Sequence, residues 1–255
     1  MKSVEIFTWA FSPPDSFEQE FSLEIDGQVL HVGVGSARVE IESNAFEADP
    51  AVVNRIHDVL KDYLVAAELV TGSSTRLSRP ERETLREDGK RVVYAEMMSL
   101  GRVTSFGRPD LVERDFAGNL VRDTRQERVD CIKSLGERIA AQVQEDGTFR
   151  KLIASYRAAM RDPSDELVHL YEIADALKSR FGRPREVQGR VAIHPEEWGR
   201  FEMLCNRSEL RQSRHRGLAG SVLRDATCDE LHQVRSLARK MIEGYLCYLE
   251  RARNE

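Results

Sequence analysis

Residues 198–217 read WGRFEMLCNRSELRQSRHRG, and the character of the chain changes inside this stretch. Pro195 at a first-turn position, followed by Glu196 and Glu197, suits a helix start, where proline loses no hydrogen bond and the dipole favours acids. Trp198, Phe201, Leu204 and Cys205 then share one face at about 100° per residue, so that face is built for burial. Carried forward, the same arc meets Ser208, Gln212 and His215 and turns polar and basic. Arg207, Arg211 and His215 fall at i, i+4 and i+8, which on a helix lines them along one edge. Five arginines stand against two glutamates between residues 200 and 216, in a chain whose net charge is −5. A local positive site in an acidic protein points to an anion, phosphate above all, and not to a protein that coats DNA. A basic last turn also complements the helix dipole and a histidine there serves as a cap, so a purely structural use of these residues stays open.

On either side of this stretch the period is helical. Residues 126–145 predict one helix and FRKLIASYRAAM after Gly147 a second. Asp162-Pro163 caps a third, whose stripe of Leu167, Leu170, Tyr171, Ala174, Leu177 and Phe181 ends at Gly182. A loop with Pro184 and Gly189 leads to the Trp198 helix. A capping box of Thr227 and Glu230 opens a long amphipathic helix from Leu231 to Leu249. Five helices with short connections imply a helical bundle.

Upstream the period is two. VEIFTWAF, FSLEI, VLHVGV and ARVEIE within residues 3–43 predict a β-meander, with Asp26-Gly27 and Gly35-Ser36 as turns. No phosphate-loop pattern follows the GVG run, so its glycines are assigned to turns. Asp49-Pro50 predicts the start of a helix that runs to Gly72 and covers one face of the sheet, with His57 off its stripe and solvated. RETLRE and RVVYAEMM predict a hairpin across Asp88-Gly89, and short strands are expected around Gly101, Gly107 and Ala117-Gly118-Asn119. The fold class is therefore α+β: residues 1–125 form a mostly antiparallel sheet with a covering helix, and residues 126–255 an all-α bundle.

Composition sets the class. At 41% hydrophobic and 32% charged residues over a length of 255, the chain is apolar enough to build a core and is not a disordered one. No apolar run is long enough to span a bilayer and the N-terminus lacks a signal-peptide pattern, so a cytoplasmic protein without membrane contact is expected. Cys131, Cys205, Cys228 and Cys247 are scattered, with no C-x-x-C pair, which predicts reduced thiols and neither zinc nor disulfides. No cofactor motif is present.

Two passages, ELVHLYEIADAL at 166–177, with Tyr171 and Asp175 four residues on, and NRSELRQSRHRG at 206–217, resemble the HEPN superfamily. This is a group of small all-α bundles found in bacterial toxins, antiviral defence effectors and related proteins. The long closing helix agrees with that layout. The chain also resembles bacterial proteins labelled methylamine-utilisation accessory proteins, which place a variable part ahead of such a bundle. The resemblance covers residues 126–255. Active members carry an arginine, four to six intervening residues and a histidine, and cut RNA without metal across a dimer interface. Here Arg211 precedes His215 by three intervening residues and Arg207 by seven, neither of which is the family's spacing.

The resemblance implies roles. His215 would move a proton to or from the ribose 2′-hydroxyl or the leaving oxygen. Arg211 and Arg207 would hold the scissile phosphate bidentately, with Asn206, Ser208 and Arg214 beside it and Asp175 orienting His215 or neutralising an arginine. The products would end in a 2′,3′-cyclic phosphate and a 5′-hydroxyl. The two functions implied are a homodimeric, metal-independent endoribonuclease acting in defence or stress response, and a non-catalytic HEPN-like module. The module would bind a nucleotide, nucleic acid or protein partner, an operon-encoded one included.

Overall fold

The computed structural model describes residues 3–88, 90–94, 110–115, 117–207, 209–218 and 222–254. The fold is α+β, and the chain divides into two compact units, one of Met1–Val70 and Thr75–Gly136, the other of Thr71–Ser74 and Glu137–Glu255. Among the described residues, no helix is long and apolar enough to cross a membrane.

In the first unit the central strand is β1 (Val4–Ser12), whose Ile6, Phe7, Trp9 and Phe11 are all buried. Apolar residues on both sides of one strand require cover on both faces of the sheet. The remaining strands of this sheet are β2 (Phe21–Ile25), β3 (Gln28–Val32), β4 (Ser36–Glu42), β5 (Arg76–Leu77), β6 (Glu81–Leu85) and β7 (Arg91–Tyr94). They order as β2-β3-β4-β1-β6-β7, with β5 on the end of β1, and these strands pair antiparallel throughout. The meander expected over residues 3–43 therefore holds for β2, β3 and β4 but not for β1, which lies beyond β4. The chain leaves β1 through a 3-10 turn at Pro14–Ser16, closed by Ser16 N–H on the Pro13 carbonyl at 3.1 Å, and crosses to the far edge. The β2–β3 hairpin turns where expected, with Asp26 at φ 50° and Gly27 at φ 73°, the left-handed pair of a type I′ turn.

Helix α2 (Val52–Thr71) buries Ile56, Leu60, Tyr63 and Leu64, and Tyr63 stacks on Phe21 at 5.8 Å. A short helix, α1 (Ser43–Ala48), precedes it and sets Phe46 against Phe7 at 5.1 Å. His57 is not solvated: its Nδ1 accepts the Trp9 indole N–H at 3.1 Å. Trp9 is fully buried, and a buried indole N–H demands an acceptor, which sequence periodicity does not reveal. Elsewhere on β1, Glu5 is 4% exposed. Burial pushes its carboxyl up, but bonds from Arg82 at 2.9 Å, Thr84 at 2.7 Å and Ser43 at 3.2 Å outweigh that and hold it below the ordinary carboxylate range.

A two-stranded ribbon of β8 (Val112–Arg114) and β9 (Leu120–Asp123) turns at Ala117–Asn119, with Gly118 at φ 86°. Gly89 and the strands expected around Gly101 and Gly107 lie outside the described residues. Helix α3 (Thr124–Gln142) begins where the apolar period changes, and the division between the two units falls within it, after Gly136.

The second unit contains α4 (Gly147–Arg161), α5 (Glu166–Phe181), α6 (Pro184–Val191), α7 (Pro195–Cys205) and α8 (Cys228–Asn254). Its core is apolar along the stripes expected, including Leu167, Leu170, Ala174 and Leu177 of α5 and Val234, Met241, Ile242 and Tyr245 of α8. Helix α6 stands where a loop is expected. Pro184 occupies its first turn, Glu186 accepts the Arg183 N–H at 2.8 Å, and Val187 and Val191, one turn apart, are buried. The capping box of α8 is present, Thr227 N–H on Glu230 at 2.8 Å and Glu230 N–H on Thr227 at 3.2 Å. Arg224 above all, against the cost of burial, lowers the Glu230 carboxyl to about 2.

Candidate functional site

Helix α7 stops at Cys205 and does not carry the basic stripe through to His215. Asn206 caps it, its N–H on the Glu202 carbonyl at 3.1 Å. Thereafter the backbone bonds elsewhere: Leu210 N–H to Arg207 at 3.0 Å, Arg211 N–H to Arg224 at 2.9 Å, Arg224 N–H to Glu209 at 3.0 Å, and Arg214 N–H back to Cys205 at 3.1 Å. The reason lies in Leu210. On a continued helix it would stand about 140° round from Cys205, off the buried stripe; with the helix broken it is fully buried. Asn206 and Ser208 also compete for backbone groups and so favour the break. Arg207, Arg211 and His215 consequently do not line one helical edge.

The arginines are engaged with carboxylates. Arg207 meets Glu209 at 2.6 Å and Glu230 at 3.2 Å. Arg211 bonds Asp225 at 3.1 Å and the Leu223 carbonyl at 3.3 Å. Arg224 grips Glu230 with two bonds of 2.8 Å, and Arg216 pairs with Asp165. Gln212 joins the same network, accepting Ala226 N–H at 3.0 Å and donating to Asp225 at 3.2 Å. These contacts strap Arg207, Arg211 and Gln212 to residues 223–230, and Arg216 to the start of α5.

A second group gathers on α5 and α7. The Arg214 guanidinium lies 4.2 Å from the centroid of the Tyr171 ring and 3.5 Å from Asp175. Tyr171 stacks on Phe201 of α7, centroids 6.4 Å apart and rings 12° from parallel. Lys178 donates to the Tyr171 hydroxyl at 3.0 Å and pairs with Asp175 at 2.9 Å and Glu202 at 3.5 Å. Burial alone would lower the Lys178 ammonium, but Tyr171 and Asp175 hold it above its ordinary range, so it remains a cation and not a nucleophile. Asp175 thus neutralises Arg214 and Lys178, and among the described residues it makes no bond to His215.

The remaining residues singled out in the sequence fall around this group. His215 is exposed, and among the described residues its ring makes no hydrogen bond. The buried Asn206 Oδ1 has no hydrogen-bond partner among the described residues. Ser208 lies outside the described residues. Cys205 is no candidate nucleophile, since burial pushes its thiol far up despite the attraction of Arg214. Among the described residues, no group of three or more His, Cys, Asp or Glu side chains is set to hold a metal ion.

Tyr171, Lys178 and Glu202 were not in the sequence-derived site. A signal for the first two existed: Tyr171, Asp175 and Lys178 follow one another at i, i+4 and i+7, the spacing of neighbours on one helical face. Glu202 is on another helix, and only tertiary packing brings it in. Compared with known protein families, curated proteins and solved structures, the chain matches none.

Proposed function

We propose that the C-terminal unit is a HEPN-like module that binds a phosphate-bearing partner, RNA in the first instance, through Arg214, His215 and Arg211, and does not cut it. One observation carries this reading: Arg214 lies over Tyr171 and beside Asp175, so the two passages that resemble the family meet at this arginine. A guanidinium stacked on a ring keeps its N–H edges available for the paired oxygens of a phosphate. The carboxylates now facing Arg211 and Arg214 do not prevent exchange, because partly exposed ion pairs contribute only about 0–1 kcal/mol.

The same geometry weighs against cleavage by this chain alone. Metal-free RNA cleavage needs arginines aimed at the phosphate and a histidine held by a partner. Arg207 is committed to Glu209 and Glu230, and Asp175 to Lys178 and Arg214. The endoribonuclease reading is kept as the second, favoured by the exposed His215 ring, and it requires a homodimer to complete the site.

The test is incubation of the purified chain with labelled single-stranded RNA in EDTA, read by fluorescence anisotropy and by end-group analysis. Binding without fragments, weakened by about tenfold or more in Arg214→Ala, is the expected result. Fragments ending in cyclic phosphate, lost in His215→Ala, would establish the second reading instead. Neither binding nor cleavage would exclude RNA as the ligand and leave a protein partner.

A further inference from the structure

The first unit holds a pocket of about 200 Å³ between residues 17–21 and the N-terminal turns of α3. Its floor is aromatic. Buried Phe17 sits edge-on between Phe11 at 5.2 Å and Phe21 at 5.3 Å, and Phe21 stacks on Tyr63 at 5.8 Å, so a four-ring ladder fixes the floor to the sheet and to α2. Val129 and Ile132 of α3 add an aliphatic wall.

The rim is acidic in a specific way. Glu18 is already neutralised by Arg128, through bonds of 2.9 and 2.8 Å. Glu20 and Asp130 line the same pocket, and among the described residues no basic side chain is paired with either. Asp130 accepts the Gln126 amide at 2.8 Å, and Gln126 in turn accepts Gln19 at 2.9 Å, which ties the two walls together across the mouth. Lys133 brings one positive charge to the lining against the Glu20 and Asp130 carboxylates, which leaves one net negative charge over an aromatic floor.

We propose that this pocket binds a small organic ammonium ion, with its apolar body over Phe17 and Phe21 and its N–H groups on Glu20 and Asp130. Aromatic faces attract cations as well as apolar bodies, and carboxylates strengthen N–H bonds from a charged donor. An anionic ligand would meet the net negative charge of the rim there. Pockets for drug-sized ligands run to roughly 300–1,000 Å³, so this one takes a single ring or a short chain.

The experiment is isothermal titration of the full chain at low salt with phenethylamine, and with phenylacetate as a body of similar size and opposite charge. Saturable binding of phenethylamine alone is expected, weakened roughly tenfold in the Glu20→Gln/Asp130→Asn double variant, whose sites are exposed and leave the fold intact. The proposal is overturned by no saturable phenethylamine binding, by equal binding of phenylacetate, or by an unchanged Kd in the double variant.

Discussion

Arg214 is held over Tyr171, and Tyr171 is itself stacked on the fully buried Phe201, so one arginine of the basic segment is fixed to the bundle core by two successive ring contacts. The others are strapped to neighbouring acids on mobile-length side chains, a contact that orders charge without orienting it. Arg214→Ala should therefore lower RNA affinity by about tenfold or more, yet shift Tm by only about 2–4 °C, since an exposed cation–π contact contributes about 0.5–1 kcal/mol. Arg214→Lys should restore little affinity, because an ammonium lacks the planar fork. A lysine variant that binds like wild type would show that charge alone matters, and a large fall in Tm in either variant would recast Arg214 as a structural residue.

A buried ion pair joins α5 to α8. Glu166 is 1% exposed and takes two bonds from Arg235, at 2.5 and 2.7 Å. Removing the carboxylate strands a guanidinium inside the bundle, and Glu166→Ala should cost about 3 kcal/mol, the low end of the usual range because a third of Arg235 reaches solvent. Urea denaturation measures it. Arg235→Met/Glu166→Leu, which removes both charges at similar volume, should recover most of the loss; if it unfolds as readily as Glu166→Ala, packing and not the stranded charge sets the cost.

Three glycines divide by what a methyl group would meet. A Cβ at Gly244 of α8 would lie 2.0 Å from the Val191 carbonyl oxygen of α6, and one at Gly136 would lie 2.7 Å from the Tyr63 ring, whereas at Gly199 of α7 nothing stands within 4 Å. Gly244→Ala should destabilise by about 3 kcal/mol, at the upper end of overpacking costs, because a backbone carbonyl cannot turn away as a side chain can. Gly136→Ala should cost less, as the Tyr63 ring can shift. Gly199→Ala should stabilise by about 0.5–1 kcal/mol, the helix-propensity gain with no clash to offset it. Thermal melts of the three variants rank them, and a stabilising Gly244→Ala would mean that α6 and α8 can separate there freely.

The elements whose pattern is repeated were legible in the sequence: the i, i+3, i+4 stripes of α2, α5 and α8, the alternation of β4, and the Asp26-Gly27 turn all stand where period and turn chemistry put them. What escaped was set by single residues answering to distant ones. The end of α7 depends on Leu210 seeking the core, and α6 on two valines one turn apart beside a capping glutamate, each too short a signal for a periodic reading. The position of β1 beyond β4 depends on a loop closed by Pro13 and Ser16. For the candidate site, composition located the basic segment but not its pairing, because acids at Asp165, Asp175 and Asp225 come from separate stretches of the chain.

His57 gives the first unit a pH dependence that can be read from one end of the bond. Desolvation chiefly, with Lys61 adding to it and Asp58 opposing it, lowers the His57 imidazole below its ordinary 6.5. The folded state then binds fewer protons than the unfolded one just below that value, so stability is fully present above about pH 6.5 and declines as the pH falls toward the folded value. Protonation also takes away the Nδ1 lone pair and strands the buried Trp9 N–H, a group that has no water to turn to. Replacing the imidazole by an amide that can still accept a bond but cannot titrate should flatten this loss: His57→Gln, followed by urea denaturation between about pH 5 and 8, should run parallel to wild type above neutrality and lose less stability below it. In a Trp198→Phe background the indole of Trp9 reports the same transition by fluorescence, because Trp9 and Trp198 are the chain's two tryptophans. Wild-type and His57→Gln curves that stay parallel down to the acid end would show that the bond from Trp9 persists without a neutral imidazole, and that the pH dependence belongs to the carboxylates.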